Sequence, residues 1–444
     1  MMKTPHELVS EVVDDHVAES VAFLQDLIRI RSVNPVFQDS EPIEEKRCQE
    51  FLANALRGLG FIDFDMWEPD PALLREKYLG RPGYTAERRF ENRPNLVARL
   101  PGSGGGRSLF LTGHVDVVNA DPEEEDWKHD PWAAAIEDGK VYGRGSADMK
   151  AGIAAMVQAV RSIQQAGFKL KGDVLFGSVV DEETGSMGML SLVDRGYRAD
   201  AGIMPEPTDL QLSLLCRGII WGRITARGRS GHIEVSQPSA ENGGAVDAIS
   251  YGKKILAIID EINADWKAHP NKRHPLVPSP CQVNVSMIRA GQHPSSYAEE
   301  CTITVDIQYL PDERDAYGLG GQVQREVEER INDFARGDRW LREHPIEFDW
   351  FVCSDCSEVK ADHPFARLCA ERIAGLGLDA SYVGSEYHTD MSLLTNSGTP
   401  TVNFGPGAPH VAHRTNEHVS IEQYVAATKA IAHILIDWCG VDPA

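Results

Sequence analysis

The sequence predicts an α/β protein, a mainly parallel sheet flanked by helices and interrupted by a smaller α+β insert. Short apolar runs at 109–112, 174–180 and 201–204 alternate with segments whose apolar residues recur at helical spacing. These runs are continuous rather than alternating, as expected of strands covered on both faces. Each ends in polar residues, which places a functional site along one shared edge of the sheet. A chain of 444 residues has room for two or three domains. The texture changes after Gln211, so the expected arrangement is a discontinuous domain of residues 1–212 and 354–444 around an insert at 213–353.

Leu8, Val12, Val17, Val21, Leu24 and Ile28 predict one long opening helix that stops before Asn34-Pro35. A second helix is expected from Pro42, with Cys48, Phe51, Leu52, Ala55 and Leu59 on one face. Residues 66–93 are rich in Pro, Arg and Glu without a period and read as a long excursion, either a lid or a surface loop. Strands follow at 95–100 and 108–112 around the turn 101–106. A helix at 151–165 carries Ile153, Val157, Val160 and Ile163, with Gly167 beyond its end. The strand at 174–180 delivers Asp181-Glu182-Glu183-Thr184-Gly185, and the one at 201–204 delivers Pro205-Glu206-Pro207. In the insert, strands are expected at 219–226, 283–288, 301–309 and 346–351, with helices at 245–265 and 321–335. The chain then closes with a helix at 363–376, a strand at 399–404 ending in Gly405-Pro406-Gly407, and a helix at 421–438.

Hydrophobic residues at 42% and charged residues at 25% are ordinary for a globular chain. A formal charge of −23 argues against nucleic acid or an anionic membrane as partner, since both need basic footprints. No apolar stretch approaches the roughly 18 residues that a membrane span needs. The acidic, amphipathic N-terminus does not read as a signal peptide. Eight scattered cysteines fit reduced thiols and a cytoplasmic home, and the lone close pair, Cys353 and Cys356, lacks the second pair of a zinc finger.

His114 and Asp116 lie two apart on an extended segment and share a face. The carboxylate can then accept the imidazole N–H, fix its tautomer and raise its basicity as a ligand. Asp148 stands just ahead of the helix at 151–165. Adding Glu182, Glu183, Glu206 and a histidine within AHRTNEHVS gives a donor set for two divalent ions sharing one carboxylate, about 3.5–4 Å apart. Neighbouring side chains on an extended segment diverge, so one of Glu182 and Glu183 can bind metal while the other faces the water as general base.

The succession GHVDVV, YGRGSADMKAG, VVDEETGS, MPEPTD, RGRSGH, FGPG and AHRTNE resembles the family of acetylornithine deacetylases, succinyl-diaminopimelate desuccinylases, aminoacylases and related metallopeptidases. The resemblance implies that His114 and Glu206 bind one metal, Glu183 and His413 the other, and Asp148 bridges. It makes Glu182 the general base and Asp116 the support of His114. His413 is preferred to His410 and His418 because an Asn-Glu pair, Asn416-Glu417, follows shortly after it. His232 matches a histidine that reaches the partner subunit's site and polarises the scissile carbonyl. Thr389-Asp390 matches a supporting pair, while His388 reads equally as a surface residue. The implied cofactors are two divalent ions, zinc first, with cobalt or manganese also suited. The insert is implied to be lid and dimerisation domain of a homodimer. The implied reaction is hydrolysis of an N-acyl amino acid, peptide or related C–N bond by metal-activated water.

Two stretches depart from the family pattern. Residues 290–296, Ala-Gly-Gln-His-Pro-Ser-Ser, stand where many relatives have a Gly-Gly turn followed by an Asn-x-x-Pro segment, and Gln308 in Asp306-Ile307-Gln308 stands where relatives often carry arginine. Those positions commonly grip a substrate carboxylate with a charge-assisted contact. Their loss points to an unusual aryl or heterocyclic amide as the alternative substrate. A non-catalytic binding relative is a further alternative, against which the retention of Glu182 stands. A phosphoesterase lacks its basic cluster near these motifs, and a Gly-x-Ser-x-Gly nucleophile elbow is missing.

Overall fold

The computed structural model describes residues 3–37, 43–121 and 125–444. A nine-stranded mixed sheet organises most of the chain. Across it run Ile62–Trp67, Asn95–Leu100, Val174–Val179, Leu109–His114, Ala201–Met204, Thr401–Asn403, Leu212–Cys216 and Ser357–Glu358, with Tyr382–Ser385 also paired to Leu212–Cys216. The central pairings are parallel, and Leu109–His114 is buried along its whole length. Successive residues of that strand serve opposite faces. Gly113 lies against Met149 and Ile153 at the start of the helix Ala151–Gln165, whereas Phe110 and Thr112 lie on the side of Leu192 in the helix Met187–Asp194. Ala151–Gln165 packs with Ile421–Cys439 and Pro5–Asp15 over one face.

The opening helix is two helices. Thr4 and Glu7 form a capping box at the start of Pro5–Asp15. His16 breaks the run, its backbone leaving the helical region while its Nδ1 bonds the carbonyl of Val12 at 2.8 Å, and Val17–Ile28 follows. Both halves keep their apolar residues in one core, so periodicity alone does not reveal the break. The expected start of the next helix at Pro42 lies outside the described residues; within them the helix is Glu45–Gly58.

A separate four-stranded antiparallel sheet runs in the order Val283–Ala290, Glu300–Tyr309, Gly218–Arg227, Glu347–Ser354. The helices Ala248–Ala268 and Gly321–Gly337 cover one of its faces, and Ile220, Ile255, Ile303, Ile307, Val327 and Ile331 form a second core there. The chain passes from the first sheet to the second at Arg217. Leu212–Cys216 therefore pairs in the nine-stranded sheet, although a boundary at 212/213 assigns it to the insert. Its apolar run resembles the insert's first strand in composition, and only pairing separates the two.

Residues 66–93 are a surface excursion with regular structure of its own. They hold the end of one strand and the helix Pro71–Tyr78, capped by Asp70. The Gly83 N–H donates to the carbonyl of Cys353 at 3.1 Å, so the segment ties the two sheets together. Its arginines run behind the acidic turn that follows Val179.

Candidate metal centre

Parallel strands end at one edge, and that edge gathers the polar residues. His114 closes its strand directly opposite Val179, two residues before Asp181. Glu206 follows the strand Ala201–Met204 next door. Gly152 and Gly405 allow their segments to press on this point. A Cβ at Gly152 would stand 2.1 Å from the carbonyl oxygen of Pro205, and one at Gly405 2.3 Å from the same atom. Asp148 lies in the irregular turn before Ala151–Gln165, and the peptide bond after it is cis. Glu417 fixes that turn by accepting from the backbone N–H groups of Ala147 and Asp148 at 2.9 and 3.1 Å while Arg144 donates to its other oxygen at 2.7 Å. Glu417 thus holds Asp148, a part the sequence signals only through its place after Asn416.

Glu182 and Glu183 sit in a 3-10 turn, Glu182–Thr184, not on an extended strand. Asp181 and Ser186 flank it in the left-handed region, both with φ 71°, joined by a 2.7 Å bond from Ser186 N–H to the Asp181 carbonyl. Arg88 at 3.2 Å, Arg93 at 3.4 Å and the Thr184 hydroxyl at 2.7 Å hold the buried Asp181 carboxylate. Asp116 departs from its expected part. Its carboxylate accepts from the N–H groups of Glu182 and Glu183, each at 3.3 Å, and from Asn34 at 2.9 Å. His114 Nδ1 instead bonds the backbone carbonyl of Asp116 at 2.9 Å, the carboxylate lying 3.6 Å away. The carbonyl performs the same office, fixing the tautomer so that Nε2 faces the centre. The carboxylate is spent on the turn because two adjacent amide groups need an acceptor there.

Asp148 faces both histidines. One oxygen lies 3.2 Å from His114 Nε2 and the other 3.4 Å from His413 Nε2. Glu183 approaches His413 at 2.9 Å, and Glu182 and Glu206 each lie 3.9 Å from His114. Glu182 and Glu183 therefore diverge towards different histidines. Burial pushes the carboxyls of Glu182, Glu183 and Glu206 upward, and neighbouring carboxylates add to it. Burial opposes protonation of His114, but Asp148, Glu182 and Glu206 outweigh it and hold its pKa well above the usual value. One oxygen each of Glu183 and Glu206 is buried without a hydrogen-bond partner among the described residues. His114, Asp148 and Glu183 each offer an atom within 4.8 Å of the others. Crowded carboxylates with orphan oxygens and imidazole nitrogens turned inward are what divalent cations relieve, so the residues fit the implied metals.

His388 is not a surface residue. It is half-buried beside this centre, Nδ1 at 3.1 Å from the Asp355 carbonyl and Nε2 at 3.2 Å from the Ser186 hydroxyl, and burial lowers its pKa to about 4. Asp390 is buried with no hydrogen-bond partner among the described residues, its carboxyl pushed up to about 7 by burial. With Glu182 these two form a further group of possible metal donors. Both follow the short strand Tyr382–Ser385, which is only partly buried and carries no continuous apolar run, which is why strand-end reasoning passes over them.

A cavity of about 390 Å³ opens over the centre, within the size range of small-molecule sites. Glu182, Glu206 and His413 line one side, and Trp221, Asp306 and Gln308 of the second sheet line the other. His232 is exposed on the loop after Gly218–Arg227, its backbone bridging to Ser296, and it does not line this cavity. His410 is exposed in the turn Pro409–Val411, and His418 lies on a small three-stranded sheet with Nδ1 at 2.8 Å from the Asn416 carbonyl. The structure therefore brings together His114, Asp116, Asp148, Glu182, Glu183, Glu206 and His413, and leaves His232 apart within one chain.

Such a centre, at the carboxyl edge of a parallel sheet and faced by an antiparallel unit, defines a metal-dependent hydrolase of amide bonds. The family model described as Peptidase family M20/M25/M40 matches residues 110–437, and the chain belongs to this M20 family. It is 31% identical over 446 residues to N-formyl-4-amino-5-aminomethyl-2-methylpyrimidine deformylase of Bacillus subtilis, covering 96% of each chain. The deformylase of the same description from Halalkalibacterium halodurans matches with the same identity and coverage. Among solved structures, the Saccharomyces cerevisiae dipeptidase Dug1p superposes with a TM-score of 0.75 at 15% identity, covering 99% of this chain and 100% of that one, which shows the fold. The chain is thus a metal-dependent amidohydrolase.

Proposed function

We propose that this enzyme hydrolyses the formamide of an N-formyl aminomethyl heterocycle, releasing formate and the free amine. The observation that carries this reading is end-to-end similarity at 31% identity to two pyrimidine deformylases. The cavity wall agrees with it. Gln308 stands where an arginine would grip a substrate carboxylate, and its amide is tied to Arg217 at 3.0 Å. Ile219, Trp221 and Val352 offer that wall an apolar and aromatic surface.

His114 with Glu206, and His413 with Glu183, are the residues we assign to two divalent ions, zinc first, with Asp148 shared. When bound, the ions supply Lewis acidity and a more acidic water. Glu182 takes the proton from the attacking water and returns it to the leaving nitrogen as the C–N bond breaks. Its carboxylate is aimed by Asp116, which holds the turn through two N–H groups. Asn34 and the arginines behind Asp181 keep that turn from relaxing.

We assign residues after Arg217 and up to Ser354 to a lid and dimerisation unit. Val283–Ala290 is an edge strand bearing Val285, Met287 and Ile288 at 37%, 49% and 52% exposure, a surface that favours cover by a second subunit. Ile233 and Val235, next to His232 in the chain, are exposed as well. In a homodimer His232 reaches the partner's cavity and polarises the formyl oxygen. All eight thiols are free, which suits a reducing cytoplasmic compartment. Among the described residues no helix is long and apolar enough to cross a membrane.

The test is steady-state hydrolysis of the N-formyl aminopyrimidine beside N-acetyl amino acids and dipeptides, before and after chelation, with metal content measured on the same samples. Chelator-sensitive release of formate, with at least a hundredfold preference in kcat/KM over the amino-acid substrates, is expected. Faster turnover of dipeptides or N-acetyl amino acids would overturn the reading.

A further inference from the structure

Antiparallel pairing sets Trp221 opposite both Asp306 and Val352, and Ile219 opposite Gln308 and Ser354. These six side chains share the sheet face that lines the cavity, while Ile220, Ile303 and Ile307 take the reverse face into the second core. Among the six, Asp306 is the charged one. Its Oδ2 accepts from the Trp221 indole N–H at 3.0 Å, but Oδ1 is buried with no partner among the described residues. The arginines at the sheet crossing and on the neighbouring strand bond other partners through their terminal nitrogens. Arg217 is held by Ser279 and Gln308, and Arg223 by Asp349 at 2.8 Å. Burial pushes the Asp306 carboxyl up, and the indole N–H offsets this in part.

A buried carboxylate oxygen without a donor is costly, and the cost falls when a ligand brings the donor. Asp148, Glu182, Glu183 and Glu206 on the opposite wall formally balance two divalent ions. Asp306 then remains on the facing wall as a carboxylate whose one bonded partner among the described residues is the neutral Trp221 indole. Such a wall repels a substrate carboxylate and attracts an amine or a protonated ring nitrogen.

We propose that Asp306 is the specificity-determining residue of this cavity. It receives the amidine edge of a flat amino-substituted nitrogen heterocycle, the exocyclic amine and the protonated ring nitrogen beside it, while Trp221 covers the ring. The pairing is charge-assisted and two-point, so it fixes the ring's orientation and with it the position of the formamide on the neighbouring carbon. The assignment rests on the deformylase reading and names the part of the substrate that the second sheet recognises.

The experiment compares wild type with Asp306→Asn and Asp306→Ser, using two formamides. One is the N-formyl 4-amino-5-aminomethyl-2-methylpyrimidine, and the other is N-formylbenzylamine, which lacks the amidine edge. Binding of the free aminopyrimidine product is measured by calorimetry, and metal content and melting temperature are recorded for each protein. Both variants are expected to raise KM and product Kd for the pyrimidine about 10- to 100-fold, with metal content unchanged and N-formylbenzylamine kinetics within about threefold. An equal loss on both substrates, or unchanged pyrimidine KM and Kd in variants that keep their metal, overturns the proposal. If wild type hydrolyses neither formamide, the deformylase reading falls and this assignment falls with it. If wild type hydrolyses both and the variants leave the ratio unchanged, only this assignment fails.

Discussion

The two walls of the cavity are built by opposite means. The wall of candidate metal donors collects its side chains from strand ends and turns spread over the chain, and then locks them with buried contacts: Glu417 on the Asp148 turn, Asp116 and Arg93 around the acidic turn. The facing wall is one side of a single antiparallel sheet, where register alone aligns Ile219, Trp221, Asp306 and Gln308. The first arrangement tolerates little change, because each donor depends on several others. The second permits exchange of one side chain for another without moving the backbone. On the proposed assignment, the chemistry is held on one wall and the choice of substrate on the other.

Under that division, substitutions among the candidate metal donors and the base act on every substrate alike. Glu182→Gln is expected to lower kcat about a thousandfold or more on any formamide while leaving metal content within experimental error; turnover near wild type would remove Glu182 as base. Asp148→Ala goes further into the wall and is expected to lose both metals, read as less than about half an equivalent per chain by elemental analysis. Full occupancy in that variant would refute a shared ligand.

His232 tests whether the facing unit also contributes chemistry across a dimer. His232→Ala is expected to lower kcat about a hundredfold with KM nearly unchanged. Mixing it with inactive Glu182→Gln subunits should restore part of the activity, whereas a strictly inactive mixture would confine His232 to its own chain. The smallest effect is expected at the seam of the metal wall. Gly405→Ala, which sets a Cβ 2.3 Å from the Pro205 carbonyl oxygen, should destabilise the fold by about 1–3 kcal/mol and lower the melting temperature by several degrees. An unchanged melting temperature would mean that the segment under Glu206 yields more easily than its packing suggests.

Legibility followed the same division. The strands and helices of the first sheet are readable because buried strands leave continuous apolar runs and helices a period, and those runs point to their own ends. The break at His16 escapes because both helices keep one apolar stripe, and Leu212–Cys216 is misassigned because its composition suits either sheet. The turn after Val179 reads as extended because nothing local announces left-handed backbone at Asp181 and Ser186, which distant arginines and hydrogen bonds sustain.

By itself the sequence determined the fold class, the family and a roster of candidate metal donors, because buried strands leave local apolar runs that point to His114, Glu182, Glu183 and Glu206, and the motif succession adds Asp148 and His413. Only the tertiary structure decided which atoms meet. It gave the Asp116 carboxylate to the acidic turn and the Asp116 carbonyl to His114, drew His388 and Asp390 to the centre, and set Asp306 across the cavity from it. Those outcomes depend on strand register, on the crossing of two sheets and on long-range ion pairs. All of these join residues far apart in the chain, and no window of sequence contains both partners.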